Sequence, residues 1–491
     1  MYLCDRKKES SKCSGKAHFG GNAKRIRMAK VQHISELSPE VPFTEFDFYG
    51  LYKSSFEKSE LGRMKRLLPL HEMAECFGLT DRSKKPRRGR RPLFTPEGKA
   101  ALMILKMYTG QSCPKLMEQL NGNIHYQMFC DVLIAPTRPL TNYKLLDGII
   151  GELAGRLRIQ RQQGMLAPAW KPYMKGLDAV YTDATCYESE VRYPTDTKLL
   201  REGIEKSYGT MCGLSSGLGV RRPRTKHPDV RKANLSYRKQ RRHGKGQTKK
   251  MTRRLLELLG KLLKEIRGQR RRHAEAESLL TAREKACLET VTKMYRQQKR
   301  HFRSGNRRES VPDRIVSLSK PCLRPIVRGK EVKGVEFGAK VNNIQVDGLS
   351  FIERLSFNAY GEGTRLKHCL RLHRRLFGVE AKKVGGDASY AGSDNREHCG
   401  EKGIQTSFVK RGRPSAERAR EDDLVRKELA RVRATAMEGS FGTQKEHYGL
   451  KRVKARTKRT EILYIFFGIH TANVMQLASR TKGLEQQTDA A

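Results

Sequence analysis

No Cys-x-x-Cys pair occurs anywhere in the 491-residue sequence, and its eleven cysteines are scattered and odd in number. That excludes a zinc ribbon and a secreted disulfide framework, and points to a reduced, cytoplasmic protein. Cys4 and Cys13 near His18 read as unpaired thiols in a polar tail. Long apolar runs are also missing. No signal peptide and no uninterrupted stretch long enough to span a bilayer is legible, so a membrane role is not expected. Acidic residues are scarce: 52 Asp plus Glu stand against 100 Lys plus Arg, a formal net charge of +48. Self-repulsion on that scale calls for a polyanionic partner, and nucleic acid fits best because the charge is spread along the chain. A hydrophobic share of 37% still suffices for packed cores.

The first 27 residues are polar, basic and aperiodic, and read as a disordered extension; Met28 begins more ordinary sequence. Residues 28–91 form an N-terminal segment ending in a basic linker, with Arg87, Arg88, Arg90 and Arg91 as candidate phosphate contacts. A solvated connector explains the same run equally well. From 92 to 170 the pattern is helical. Thr95-Pro96-Glu97 is a helix start, Leu102, Leu105 and Tyr108 follow at helical spacing, and Ser112 with Pro114 restarts a second helix that Asn121-Gly122 ends.

Ala179-Val180-Tyr181 then forms a short β-prone run ending on Asp183. Residues 201–308 are a long basic helical insertion in which Leu255, Leu258, Leu259, Leu262 and Ile266 make an apolar stripe. Val335–Val341, the turn Asp347-Gly348 and Leu349–Leu355 read as a β-hairpin. A helix, a strand over Ala381–Asp387, a helix around 395–400, and a strand near 404–409 follow. A helix from about Asp423 into the His447 region and a buried helix over 462–477 come next. Residues 479–491 read as a disordered tail. The expected fold is therefore α/β, a mixed sheet interrupted by the insertion and preceded by a helical domain, with residues 171–200 and 309–478 forming the sheet domain.

Asp183 and Asp387 are each expected at the carboxyl end of a strand, where ligands gather on open sheets. Two carboxylates at close quarters need a cation between them, and a divalent ion supplies it. Glu438 on a nearby helix completes an oxygen-rich set suited to Mg2+ or Mn2+, two ions in the usual arrangement for phosphodiester chemistry. Position alone does not separate these three from Asp196, Asp394, Asp422, Asp423, Glu428 and Glu446.

The flanking residues do. Asp183-Ala184-Thr185 with Arg192-Tyr193-Pro194-Thr195-Asp196 resembles the first-aspartate block of bacterial insertion-sequence transposases of the InsH-like group (insertion-sequence family five and relatives). Gly386-Asp387-Ala388-Ser389-Tyr390 with Asn395 and Arg396 is similar to their second block, and Glu438-Gly439-Ser440-Phe441-Gly442 with Lys445 to their glutamate block. The segment 92–136 resembles their N-terminal domain. Arg324–Lys330 and Val335–Lys340 resemble the strand region before the second aspartate.

The resemblance runs from about Phe43 to Leu477. It implies an RNase H-like fold, catalytic and metal-binding roles for Asp183, Asp387 and Glu438, and action on the terminal inverted repeats of a mobile element. It also implies double-stranded donor and target DNA as partners, and a homodimer or higher assembly on DNA in the nucleoid. Lys445, two helical turns after Glu438, is placed to reach a phosphate. Ala434 stands where the group carries an arginine, and Arg433, one step further away, or Arg431 takes that DNA-contacting role. A catalytically silent DNA-binding descendant and an RNase H-like nuclease are the alternatives.

Overall fold

The computed structural model describes residues 48–79, 92–135, 137–304, 311–327, 334–409 and 416–489. The expected extension over 1–27 and the linker arginines Arg87, Arg88, Arg90 and Arg91 lie outside these residues. Seven strands make one mixed sheet: β1 (Ala179–Ser189), β2 (Pro325–Val327), β3 (Val335–Val346), β4 (Leu349–Ser356), β5 (Lys383–Gly385), β6 (Gln405–Thr406) and β7 (Arg452–Val453). The path runs β2-β3-β1-β5-β6, with β4 also on β3 and β7 also on β1. β1 is antiparallel to β3 but parallel to β5, and β5 is parallel to β6.

The hairpin forms as its sequence dictates. Asp347 and Gly348 take φ of 46° and 80°, the paired positive values a tight β3–β4 turn requires. β1 departs from expectation. It does not end on Asp183 but continues to Ser189, because Thr185–Glu188 pair with Val341–Gly338 and Glu188–Ser189 pair with Arg452–Val453. Gly338 permits this close approach: a Cβ there would lie 2.0 Å from the Tyr187 carbonyl oxygen.

Thr95 caps the helix Pro96–Thr109 and Gly110, at φ 63°, ends it, while Ser112 caps Cys113–Gly122. The helical region expected as a domain of its own over 92–170 shares one apolar core with the sheet and with the helices between Phe48 and Cys76. The C-terminal helix, Lys458–Asp489, cements this union. Phe466, Phe467, Ile469 and Val474 are fully buried, and Phe77 stacks on Phe467 across the seam.

Among the described residues this helix alone is long and apolar enough to cross a membrane, but 67% of that stretch is buried within the protein. It also overruns the tail expected from residue 479. Arg480 is not a solvated tail residue: it donates to the Asp347 side chain and carbonyl, both at 2.7 Å, and so clamps the β3–β4 turn.

The insertion has a core of its own. The helices Asp196–Gly217, His227–Lys239, Lys245–Arg272 and Ala282–Ser304 bury Leu200, Leu255, Leu259, Leu262, Ile266 and Val291 against one another. This core reaches from Leu199 to Leu318, slightly beyond both ends of the expected 201–308. Leaving the insertion, Lys320 donates to Glu461 at 2.6 Å with side chains 4% and 0% exposed, and Glu461 also accepts from Ser189 at the end of β1. The described cysteines are all free thiols.

Candidate metal centre

Tyr181 pairs with Gly385 in the parallel β1–β5 register, so the chain positions two residues further on, Asp183 and Asp387, are brought side by side. Gly385 is required there, since a Cβ would lie 2.4 Å from the Tyr181 ring. β5 stops at Gly385, and Asp387 caps the turn Ala388–Tyr390, accepting from the Ser389 amide at 2.9 Å and hydroxyl at 2.6 Å. Asp387 thus sits just past a strand end as expected, whereas Asp183 sits within its strand.

A third carboxylate joins them that sequence reasoning missed. Ligand oxygens of Asp183, Glu362 and Asp387 all lie within 4.8 Å of one another. Glu362 sits in the connection between β4 and the helix Leu366–Phe377, where no periodicity marks it. The available signal was its two glycine neighbours, Gly361 and Gly363. Gly363 lets the two turns touch: a Cβ there would lie 2.2 Å from the Ser389 carbonyl oxygen. Asn395 staples them, donating to the carbonyls of Gly363 at 2.7 Å and Tyr390 at 2.8 Å.

Glu438 lies outside this trio. Its side chain is 62% exposed, at the start of the helix Glu438–His447 that packs across the Asp183 face of β1. Arg433 connects the two, with Nη1 2.9 Å from Asp183 Oδ2 and Nη2 4.0 Å from Glu438 Oε1. Lys445 donates to Thr185 Oγ1 at 2.8 Å, two positions beyond Asp183 on the same strand face, and lies over the Tyr187 ring. Arg431 is exposed. Of the alternative carboxylates, Asp196 is paired with Arg314, Asp394 with Lys367, Asp423 with Arg426 and Lys427, and Glu446 with Lys451.

The local electrostatics follow from this packing. Burial raises the Asp183 pKa to about 6; the Ala184 amide and Arg433 pull it back, while Asp387 and Glu362 push it further up. Glu362 is held by Lys340, 2.5 Å away. The donor set is all carboxylate oxygen, closely spaced and partly buried, which fits a hard divalent ion such as Mg2+ or Mn2+. Asp183, Glu362, Asp387 and Glu438 share the neighbourhood with Arg433, Lys340 and Lys445, so the acids outnumber the chain cations and added positive charge is favoured.

Residues 384–477 match the transposase DDE domain family. The match begins inside β5 and covers Asp387, Glu438 and Lys445, but not Asp183 or Glu362. It supports reading this chain as a DDE transposase, an enzyme acting on DNA. No curated protein and no solved structure matches the chain.

Proposed function

We propose that this protein is a DDE transposase of the InsH-like group that binds the terminal inverted repeats of its mobile element and carries out metal-dependent strand cleavage and strand transfer. The observation that carries the reading is the convergence of Asp183, Glu362 and Asp387 in a chain of net charge +48. The strand path supports an RNase H-like sheet: an antiparallel β4-β3-β1 unit extended by parallel β5 and β6, with Asp183 on β1 and Asp387 just past the end of the adjacent β5.

Asp183 and Asp387 would hold the divalent ions, with Glu438 as the third catalytic carboxylate and Glu362 as a further oxygen donor. Such ions lower the pKa of an attacking water or 3′ hydroxyl and stabilise the leaving oxygen. The chain's own residues orient the DNA. Lys445, fixed by Thr185 beside the carboxylates, meets a phosphate next to the scissile one. The exposed cations of Lys245–Arg272 track the backbone through counterion release. Partners are double-stranded terminal-repeat and target DNA, engaged by a dimer or larger assembly in the cytoplasm at the nucleoid, with no membrane involvement.

The test is to incubate the protein with the DNA flanking its own gene and map Mg2+-dependent nicks. Nicks at the repeat ends, lost in Asp183→Asn, Asp387→Asn and Glu438→Gln, are expected. Unchanged cleavage by all three variants overturns the assignment.

A further inference from the structure

Arg433 stands five residues before Glu438. On an α-helix that separation leaves two side chains about 140° apart, facing different neighbours. The helix is not α there. Arg433–Met437 forms a π turn between the α-helical stretches Ala416–Val432 and Glu438–His447. A π turn bonds residue i to i+5 and so stacks residues five apart, equivalent to one residue inserted into an otherwise continuous α-helix. The wider turn faces the sheet, where Gln345 donates to the Ala436 carbonyl at 3.5 Å. By this means one guanidinium reaches both Asp183, at 2.9 Å, and Glu438, at 4.0 Å, with Arg433 itself only 20% exposed.

We propose that Arg433 is the resident counter-cation of the carboxylate site, carried there by the π turn, and that its guanidinium leaves Asp183 when a divalent ion is taken up. The inference rests on the metal reading above and deepens it. Asp183 is the one carboxylate shared by the Asp183–Glu362–Asp387 trio and the Arg433 bridge, so a guanidinium and a metal ion compete for it. Glu438 is tethered to the same guanidinium, which keeps it beside the trio without being part of it. Once off Asp183, the planar guanidinium keeps donors suited to a DNA phosphate, consistent with the DNA contact that the sequence suggests. Arg433 is therefore a positioning residue, acting through the two carboxylates.

The experiment is calorimetric titration of the full-length, DNA-free protein with MnCl2 at pH 8, using Asp183→Asn as the blank. Arg433→Gln is expected to bind Mn2+ about tenfold more tightly than wild type, because a competing cation is gone, yet to nick DNA more slowly. A residue of merely structural importance would do the reverse and weaken binding. Equal or weaker Mn2+ binding by Arg433→Gln, with Asp183→Asn silent, overturns the counter-cation role and leaves the metal centre standing. Absence of any Asp183-dependent Mn2+ binding in both proteins overturns the metal reading itself.

Deleting Ala434 separates the π turn from the arginine. It removes one residue, makes the helix continuous, and leaves Arg433 and Glu438 at α-helical i,i+4 spacing on one face. Mn2+ affinity within about twofold of wild type is expected. Behaviour like Arg433→Gln, or failure to fold, overturns the register role of the turn.

Discussion

On the outer face of Lys245–Arg272, Lys249, Lys250, Arg253, Arg254, Lys261, Lys264 and Arg267 are exposed, and none joins an ion pair among the described residues. At the carboxylate site in the middle of the sheet the charges are handled differently. Asp183 is met by Arg433, Glu362 by Lys340 and Asp387 by the Ser389 amide and hydroxyl. The insertion carries uncompensated charge on a face whose reverse is a leucine core; the sheet carries acids already met by cations or hydrogen-bond donors of the chain. One surface can lower its electrostatic energy by gaining a polyanion, the other by exchanging an internal cation for a stronger one. On the proposed reading, binding falls mainly to one region and chemistry to the other, and because their cores are separate they are expected to respond to substitution independently.

The most severe test of that separation lies at the carboxylates. Asp183→Asn or Asp387→Asn should lower Mg2+-dependent cleavage by at least about a thousandfold while changing DNA affinity by no more than about twofold, read by gel-based cleavage and fluorescence anisotropy. A matching loss of DNA binding would break the comparison. Next in size is the joint between the two regions. Glu461 is fully buried and takes hydrogen bonds from Lys320, on the exit from the insertion, and Ser189. Lys320→Met leaves that carboxylate unpaired in the interior and should cost about 3–5 kcal/mol of stability by chemical denaturation. The double variant Lys320→Met with Glu461→Leu should recover much of it.

The insertion supplies the third test. Replacing Lys249, Lys250, Arg253 and Arg254 together with Gln should weaken DNA binding by about 10–100-fold and flatten the log–log salt dependence by about 3–4 units. Mn2+ affinity should not move. A change in Mn2+ affinity would show that the two regions are coupled.

How far the sequence spoke for each region differs for physical reasons. The insertion was legible because its stripe from Leu255 to Ile266 is periodic, and periodicity survives without knowledge of the fold. Asp183 and Asp387 were found from local flanking residues, and their adjacency follows from a parallel register that no local pattern reveals. Glu362 was missed because a carboxylate in a loop is silent until Gly363 and Asn395 bring its turn against Ser389. Arg433 looked out of register on α-helical spacing; the π turn that corrects this leaves no mark in composition or hydrophobic pattern. The reach of the last helix to Asp489 was hidden because its final residues are polar; the Asp347–Arg480 contact ties the helix beyond Leu477 to the β3–β4 turn.

The smallest expected effect concerns the acids alone. Because burial raises the Asp183 pKa from 3.8 to about 6, the folded protein holds a proton there that the unfolded chain releases earlier. Any stabilisation from this group is fully present below about pH 3.8 and is lost as pH rises through about 6. Asp183→Asn removes the titration. In metal-free buffer its stability relative to wild type should therefore climb between pH 4 and pH 7, by about 2 kcal/mol, the pull of Arg433 being already contained in the raised pKa. Saturating Mg2+ should close the gap from the wild-type side, since a bound ion stabilises only the protein that holds it. A difference that stays flat across this range would mean that Arg433 already compensates the charge fully, and the contrast between matched acids and unmatched bases would then be complete even without metal.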